Sequence, residues 1–218
     1  MNKSMKLMAC ALAAASVFAF GFAGAACKEE KTENVLVVGY TDYEPMNYKD
    51  ENGVLTGFDT ELAQETFTRL GYTVRFKEIE WGNKYMELDG GTIDCIWNGF
   101  TWNCADDDGT NRSDKIDFSA PYMQNAQCVV RGANETELTN AAQFDGKSVA
   151  FEAGSAGESY VGGIEGVTIN KKDVTSQMDA IKAVNTGTAQ YAIVDVLLAQ
   201  KLAGKGDYTN LVINEGIA

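Results

Sequence analysis

The stretch Val35-Leu36-Val37-Val38-Gly39 begins an alternation of strand and helix patterns that decides the fold class. A helix is predicted from Phe58, because apolar residues recur at helical spacing, acids lie near its start and Gly71 follows its end. Alternating apolar residues predict a second strand around residues 74–76, and an apolar run predicts a third over residues 93–98. Strands that alternate with helices are typical of α/β folds with mostly parallel sheets.

The same alternation restarts after Pro121 and predicts a second α/β unit, so that the two units meet near residues 125–130. In a two-lobed α/β chain, a small-molecule site lies in the cleft, outside the carboxyl ends of the strands. Strands are predicted over residues 127–130, 148–151, 167–169 and 191–194, and helices from Gly154, around residues 178–184 and over residues 196–202. Three segments directly follow predicted strands and are candidates for the site: residues 98–101, residues 154–156 and Asp195.

The first 26 residues have the composition of an export signal. Lys3 and Lys6 precede an apolar run over residues 7–22, and small residues then lead to Cys27. A retained membrane anchor is the alternative, because the run approaches spanning length, but its many Ala and Gly residues make it weakly hydrophobic. The predicted organisation is a signal over residues 1–26, a tether over 27–34, and lobes over 35–126 and 127–218.

The composition excludes several classes of site. The 218-residue chain contains no histidine, which removes Ser-His-Asp and Cys-His nucleophilic sites and His-ligated zinc. Its formal charge of −13 argues against a nucleic-acid partner, because phosphate binding needs a clustered basic surface. We expect neither a metal nor a cofactor.

Three cysteines follow Cys27, an odd number for an oxidising compartment. Cys95 lies in an apolar run and is predicted to be a buried thiol. If a disulfide forms, Cys104 and Cys128 are the predicted pair, and three free thiols are the open alternative.

Five segments together carry a family pattern: Gly57 to Ala63, Ile93 to Thr101, Asp117 to Tyr122, Phe151 to Ser155 and Ala192 to Asp195. In this order they resemble the extracytoplasmic solute-binding proteins of polar amino-acid ABC importers, family 3. The resemblance runs from about Val35 to Ala218 and implies an α/β, two-lobed periplasmic-binding-protein type II fold. It also implies that residues 215–218 begin a second crossing between the lobes, so that lobe 1 is expected to lack its C-terminal return.

The resemblance implies a set of ligand-binding residues. In the family, a Gly-x-Thr motif and a following Arg bind the α-carboxylate of an amino acid, and Gly99, Thr101 and Arg112 match them. A guanidinium meets a carboxylate as a planar bidentate pair, which suits this role. Asp195 matches the acid that pairs with the ligand α-ammonium, and helix N-capping is a compatible role for it.

Two further positions match the second lobe and the cover of the site. Gly154 and Ser155 resemble a helix N-terminus whose backbone amides accept the ligand carboxylate. Tyr43 resembles the aromatic residue that covers the ligand from the first lobe. Glu44, close by, is a candidate partner for a cationic ligand side chain.

The spacing between Thr101 and Arg112 departs from the family pattern. It is eleven positions here, where the family commonly has five, and the additional residues form a loop around positions 103–111. The acids Asp106, Asp107 and Asp108 in this loop do not fit an EF-hand register, so a solvated turn is favoured over a calcium site.

The implied function is capture of a free amino acid between the lobes and its delivery to an ABC permease, without an enzymatic step. Cys27 lies where bacterial lipoprotein signals place the acylated cysteine, which predicts lipidation there. Gly24 stands where such signals usually have Leu, so simple cleavage and release into the periplasm stay an open alternative. The resemblance further implies a position outside the bacterial cell membrane and a monomer. Two alternatives stay open: a secreted enzyme of the cyclohexadienyl or arogenate dehydratase type on the same fold, and a ligand-sensing module.

Overall fold

The computed structural model describes residues 34–217, and these form two α/β lobes that follow each other along the chain. The predicted signal, Cys27 and the tether up to residue 33 lie outside the described residues. Within residues 34–217, every helix is too short or too polar to span a bilayer.

The first lobe is built on a three-stranded parallel sheet, in which strand β1 (Val35–Tyr40) lies between β4 (Thr73–Glu78) and β5 (Cys95–Ile96). The most apolar strand, β1, therefore lies in the centre. Helix α1 starts with two acids in its first turn and is followed by Gly71 at φ +85°, the left-handed conformation that ends many helices. The elements are β1 (Val35–Tyr40), the hairpin strands β2 (Tyr48–Lys49) and β3 (Leu55–Thr56), α1 (Phe58–Arg69), β4 (Thr73–Glu78), α2 (Lys84–Asp89) and β5 (Cys95–Ile96).

Strand β5 is shorter than the predicted strand over residues 93–98. The Asp94 carboxylate accepts the Val37 N–H at 2.7 Å and so replaces a backbone acceptor at the start of the ladder. Gly99 has φ +54°, a conformation that favours glycine, and it turns the chain out of strand geometry. The residues after Ile96 therefore belong to the cleft and not to the sheet.

The second lobe is built on a five-stranded sheet with the order β10-β6-β9-β7-β8. Strands β7, β8 and β9 are parallel, whereas β6 is antiparallel to both of its neighbours, so this sheet is mixed. The elements are β6 (Gln127–Gly132), β7 (Ser148–Glu152), α3 (Ala156–Gly162), β8 (Asn170–Val174), α4 (Gln177–Asn185), β9 (Tyr191–Asp195), α5 (Val196–Leu202) and β10 (Leu211–Ile213).

Two strands of this lobe differ from the sequence prediction. The strand predicted over residues 167–169 lies instead at Asn170–Val174, a mostly exposed segment. This strand lies at the edge of the sheet and pairs with β7, beginning with Ser148 opposite Asn170. Because this pairing positions the strand, its sequence does not need an apolar pattern. Strand β10 has no counterpart among the predicted strands, because three residues at the opposite edge carry no clear periodicity.

The core of the second lobe also holds residues of the first. Tyr43 and Met46 join the hydrophobic cluster formed by β6, β9, α4 and α5. The C-terminal segment is fixed by Asn214, whose side chain accepts the Leu138 N–H at 2.7 Å and donates to the Leu138 carbonyl at 2.8 Å. Both residues are buried.

The three cysteines of the described chain are free thiols, so the predicted Cys104–Cys128 pair is not present there. Cys128 is buried in β6, as its strand position requires. Cys95 is half-buried and not buried as predicted, because β5 is an edge strand.

Candidate functional site

The candidate site lies where strands of both sheets end. Strands β7 and β9 are parallel neighbours, so their last residues, Glu152 and Asp195, lie at the same edge of the second sheet. The segment after β5 comes from the first sheet and lines the same cavity through Asn98, Gly99 and Thr101. All three segments that the sequence singled out after predicted strands therefore contribute to one cleft.

Arg112 lies in this cleft despite its unusual spacing from Thr101. The extra loop folds back on itself: Ala105 and Asn111 form an antiparallel bridge, and the Arg112 N–H donates to the Cys104 carbonyl at 3.2 Å. Because the loop closes as a hairpin, the added residues do not separate Arg112 from Thr101, whose carbonyl accepts Arg112 Nη1. The Arg112 side chain is only 1% exposed, so it is not a solvated surface arginine.

Asp106 fixes the guanidinium of Arg112. Its Oδ1 accepts the Arg112 Nε–H at 2.8 Å, and its Oδ2 accepts the Tyr85 hydroxyl at 2.7 Å and Lys115 Nζ at 3.0 Å. Burial raises the pKa of Asp106, but the hydrogen bonds from Tyr85, Arg112 and Lys115 outweigh burial and hold this pKa below its ordinary value. The carboxylate is thus charged at neutral pH and orients the arginine.

The prediction of a solvated acidic turn is therefore wrong for Asp106, which is buried. It holds for Asp108, an exposed residue whose Oδ1 accepts the Thr110 N–H at 2.8 Å as in an Asx turn. The sequence did not reveal the difference, because only the hairpin aims Asp106 inward at Arg112.

Gly99 and Thr101 present mainly their backbone to this part of the cleft. The Gly99 N–H donates to Asp59 Oδ2 at 2.9 Å, and a Cβ on Gly99 would lie 2.7 Å from a ring carbon of Tyr43. Glycine is thus required here by both the positive φ and the close approach of this ring. The Thr101 carbonyl accepts Arg112 Nη1 at 3.0 Å. Tyr43 itself is buried, and its hydroxyl has no hydrogen-bond partner within residues 34–217.

Asp195 is held by amide side chains rather than by a helix cap. It occupies the N-cap position of α5, but its side chain makes no capping hydrogen bond. Instead, Oδ1 accepts from Asn125 and Gln127, and Oδ2 accepts from Gln177 at 2.6 Å. Burial raises the pKa of Asp195, and the amides of Gln177, Asn125 and Gln127, together with the nearby Tyr43 hydroxyl, oppose the rise. Within the part of the chain that the structure describes, one of its roughly four acceptor positions is without a hydrogen bond.

Gly154 and Ser155 are placed in the cleft, but their amides already have acceptors. The Gly154 N–H donates to Glu158 Oε2 at 2.6 Å, and the Ser155 N–H donates to the Glu152 carbonyl at 3.2 Å. Ser155 Oγ caps helix α3 by accepting the N–H groups of Gly157 and Glu158. The carboxylate-binding amides that the resemblance implied are therefore occupied within the protein.

The carbonyl of Gly154 instead joins the two lobes. It accepts Arg112 Nη2 at 3.0 Å and Lys84 Nζ at 3.0 Å, both from the first lobe. Lys84 is buried against the rings of Trp81, Tyr85 and Phe100. Burial, followed by the charge of Arg112, lowers the pKa of Lys84 to about 8.

Two cavities share Gly99 and Thr101. The larger, of about 430 Å³, is bordered by Tyr43 and several uncharged aromatic residues. The smaller, of about 20 Å³, is lined by the charged residues Arg112, Glu152 and Asp195. This smaller volume suffices for about one water molecule. An amino acid therefore enters the charged part of the cleft only if the lobes move apart.

The sequence interpretation did not assign several residues of this site. Lys84 is the first residue of the short helix α2, and a lysine normally faces solvent. Glu152 is the last residue of an apolar strand. Its apolar neighbours are the one feature of the sequence that could have indicated a buried acid. Gln127 and Gln177 gain a role only because β6 and α4 pack beside Asp195. Glu44, in contrast, is directed at Lys201, whose Nζ lies 3.0 Å from its Oε1.

Two α/β lobes with a cleft lined by an arginine and an aspartate fit a solute-binding protein with the type II periplasmic-binding fold. Residues 35–205 match the bacterial extracellular solute-binding proteins, family 3. The chain belongs to this family, which confirms the family and the fold class that the sequence segments predicted.

Known relatives agree with this assignment. The chain is 30% identical to the L-cystine-binding protein TcyJ of Escherichia coli (strain K12), over 98% of this chain and 79% of that protein. Among solved structures, an ancestral arginine-binding protein bound to arginine superposes with a TM-score of 0.75 at 26% identity, over 83% of this chain and 78% of that one. An ABC uptake transporter substrate-binding protein from Streptococcus pneumoniae with bound histidine gives a TM-score of 0.70 at 27% identity, over 83% and 74% of the two chains.

Proposed function

We propose that this protein captures a free amino acid between its two lobes and delivers it to the permease of an ABC importer. The observation that carries the proposal is the convergence of Arg112 and Asp195, from different lobes, on one buried cleft. Its family membership and its relatives, which bind cystine, arginine and histidine, support the same ligand class.

The free hydrogen-bonding capacity of the two charged residues matches an amino-acid zwitterion. A guanidinium has five N–H donors, and three of those of Arg112 are used by Asp106, Thr101 and Gly154. One donor remains on each terminal nitrogen, which is the pair that an α-carboxylate accepts. Asp195 keeps an acceptor position for the α-ammonium. Gly99, Thr101, Ser155 and Tyr43 complete the proposed site.

Capture requires movement of the lobes. The contacts of Gly154 with Lys84 and Arg112, and the 2.8 Å hydrogen bond from Ser159 Oγ to the Ala105 carbonyl, link the lobes across the cleft. We propose that they break when the cleft opens to admit the ligand and that the lobes then close on the ligand, so that the closed form docks on the permease. Binding alone then accounts for the function, with no chemical step.

We also propose that the protein acts outside the bacterial cell membrane as a monomer. Residues 1–26 direct export, and Cys27 carries a lipid anchor after the signal is removed. The family to which the chain belongs is extracellular, which supports this location. Acylation is tested by mass spectrometry of the protein from cells, comparing the wild type with Cys27→Ala.

Titration calorimetry with the twenty amino acids and cystine tests the binding function. At least one should bind, and Arg112→Lys, which cannot form the planar fork, should weaken binding by at least about tenfold. Arg69→Gln is the control, because Arg69 is exposed and, within residues 34–217, pairs only with Glu65 on α1. Absence of any ligand, or equal affinity in the wild type and Arg112→Lys, would contradict the proposal.

A further inference from the structure

The carboxyl group of Glu152 is buried at the site without a partner. Glu152 is the last residue of β7, is 3% exposed and lines the charged cavity together with Arg112 and Asp195. Its Oε1 has no hydrogen-bond partner anywhere in residues 34–217. A buried carboxyl oxygen without a hydrogen-bond donor costs free energy, so the presence of an acid at this position needs an explanation.

Four charged groups surround this carboxyl group. Asp195 on β9 and Asp179 on α4 disfavour its ionisation, and Lys84 on α2 and Arg112 on the opposite lobe favour it. Burial, followed by the charge of Asp195, raises the pKa of Glu152 to about 8. Near pH 7 the carboxyl group is therefore mostly protonated in the ligand-free protein.

The neighbouring charged groups already have their own contacts. Asp195 accepts from three amide side chains, and Arg112 is paired with Asp106. Within residues 34–217, Glu152 takes part in no salt bridge. An N–H donor from outside the protein would thus meet a carboxyl group that is free to accept it, in the cavity whose other charged residues are proposed to bind the α-carboxylate and α-ammonium.

We propose that Glu152 selects the ligand side chain, by accepting a hydrogen bond from the cationic group of a basic amino acid. The inference rests on the proposed function of the cleft and adds the class of substrate. The cation pairs with the ionised carboxylate, so that binding converts the neutral acid to its carboxylate and releases its proton to the buffer. The buried oxygen that lacks a partner in the protein gains one in the complex.

Arginine and citrulline test this inference, because they have nearly the same shape and differ in the charge of the terminal group. Calorimetry of the full chain at pH 7, in two buffers of different ionisation enthalpy, reports both affinity and protons released. Arginine should bind at least tenfold more tightly than citrulline and release close to one proton, and citrulline should release none. From pH 6 to pH 8, arginine affinity should rise by up to about 50-fold as Glu152 becomes ionised.

Glu152→Gln keeps the shape of the side chain and removes its charge. This variant should lose the preference for arginine, its proton release and its pH dependence, while citrulline affinity stays within about threefold. Glu165→Gln, at an exposed position of the same lobe, is the control and should behave as the wild type. Thermal melting checks that both variants are folded.

The outcomes separate this inference from the proposed function. If no amino acid binds, both are overturned. If amino acids bind but arginine shows no preference over citrulline, or if Glu152→Gln keeps the preference, only the role of Glu152 is overturned. A wild-type protein that binds arginine without proton release at pH 7 also overturns it, whether or not the variant folds.

Discussion

Replacing Asp106 by Asn should destabilise the protein strongly, because it removes the charge that faces a buried guanidinium. The Arg112 and Asp106 side chains are 1% and 4% exposed, and Nε lies 2.8 Å from Oδ1. Removing one partner of a buried ion pair costs about 3 to 5 kcal/mol, because the other charge stays buried without compensation. Asn keeps the volume and one acceptor oxygen, so we expect a loss near the lower limit, about 3 kcal/mol.

Urea unfolding followed by tryptophan fluorescence measures this loss. With a slope of about 2 kcal/mol per M, the midpoint should fall by about 1.5 M at pH 7. Because hydrogen bonds hold the pKa of Asp106 below its ordinary value, the difference from the wild type should persist at pH 5. It should disappear only as pH falls below about 3.8 and Asp106 becomes protonated in the folded state.

Asp108→Asn is the matched control. Asp108 lies in the same hairpin and also pairs with Lys115, at 2.8 Å, but its side chain is 55% exposed. An exposed pair of this kind contributes little, so the control should unfold nearly as the wild type does. The expected loss in the free energy of unfolding is about 3 to 5 kcal/mol. If Asp106→Asn loses less than about 1 kcal/mol, or no more than Asp108→Asn does, the assigned role of Asp106 is refuted.

Three further predictions concern other parts of the molecule. Gly99→Ala should lower the free energy of urea unfolding by at least about 2 kcal/mol, and by more than Gly109→Ala does. Both glycines have positive φ, but only at Gly99 would a Cβ meet the Tyr43 ring. Equal losses would show that the ring contact does not contribute. Asn214→Ala should cost about 2 to 4 kcal/mol, because the buried backbone N–H and C=O of Leu138 lose their partner; a loss below 1 kcal/mol would contradict this. The raised pKa of Glu152 adds stability that is fully present below about pH 4.5 and is lost as pH rises to about 8. The free energy of unfolding of the wild type should therefore fall between these pH values by up to about 1.4 kcal/mol per pH unit, and Glu152→Gln should lack this fall. Parallel pH profiles of the two proteins would rule this out.

Much of the fold could be predicted from local sequence patterns. The bounds of β1, α1, β9 and α5 agree with the prediction to within about one residue, because apolar periodicity and terminal glycines act over short distances. The edge strands β8 and β10 could not be predicted in the same way. Their positions depend on pairing with β7 and β6, which lie far away along the chain.

The position of the cleft also followed from the sequence. Segments after strands collect at one edge of a sheet, so the strand pattern alone places Gly99, Thr101, Ser155 and Asp195 there. Their individual contacts could not be predicted. Gly154 was expected to offer its amide, but in the folded protein its carbonyl binds Lys84 and Arg112 from the other lobe.

By itself, the sequence determined the two-lobed α/β fold, the family and the sheet edge at which the proposed site lies, because these follow from periodicity and from short motifs whose residues are neighbours in the chain. Only the tertiary structure decided which charges in the cleft are already paired. Asp106 and Asp108 are indistinguishable as sequence, and the hairpin buries one of them against Arg112. Glu152 looks like the end of an ordinary strand until the packing of both lobes removes it from water and leaves it without a donor. Burial and pairing depend on residues that are distant in sequence, so they arise when the lobes come together.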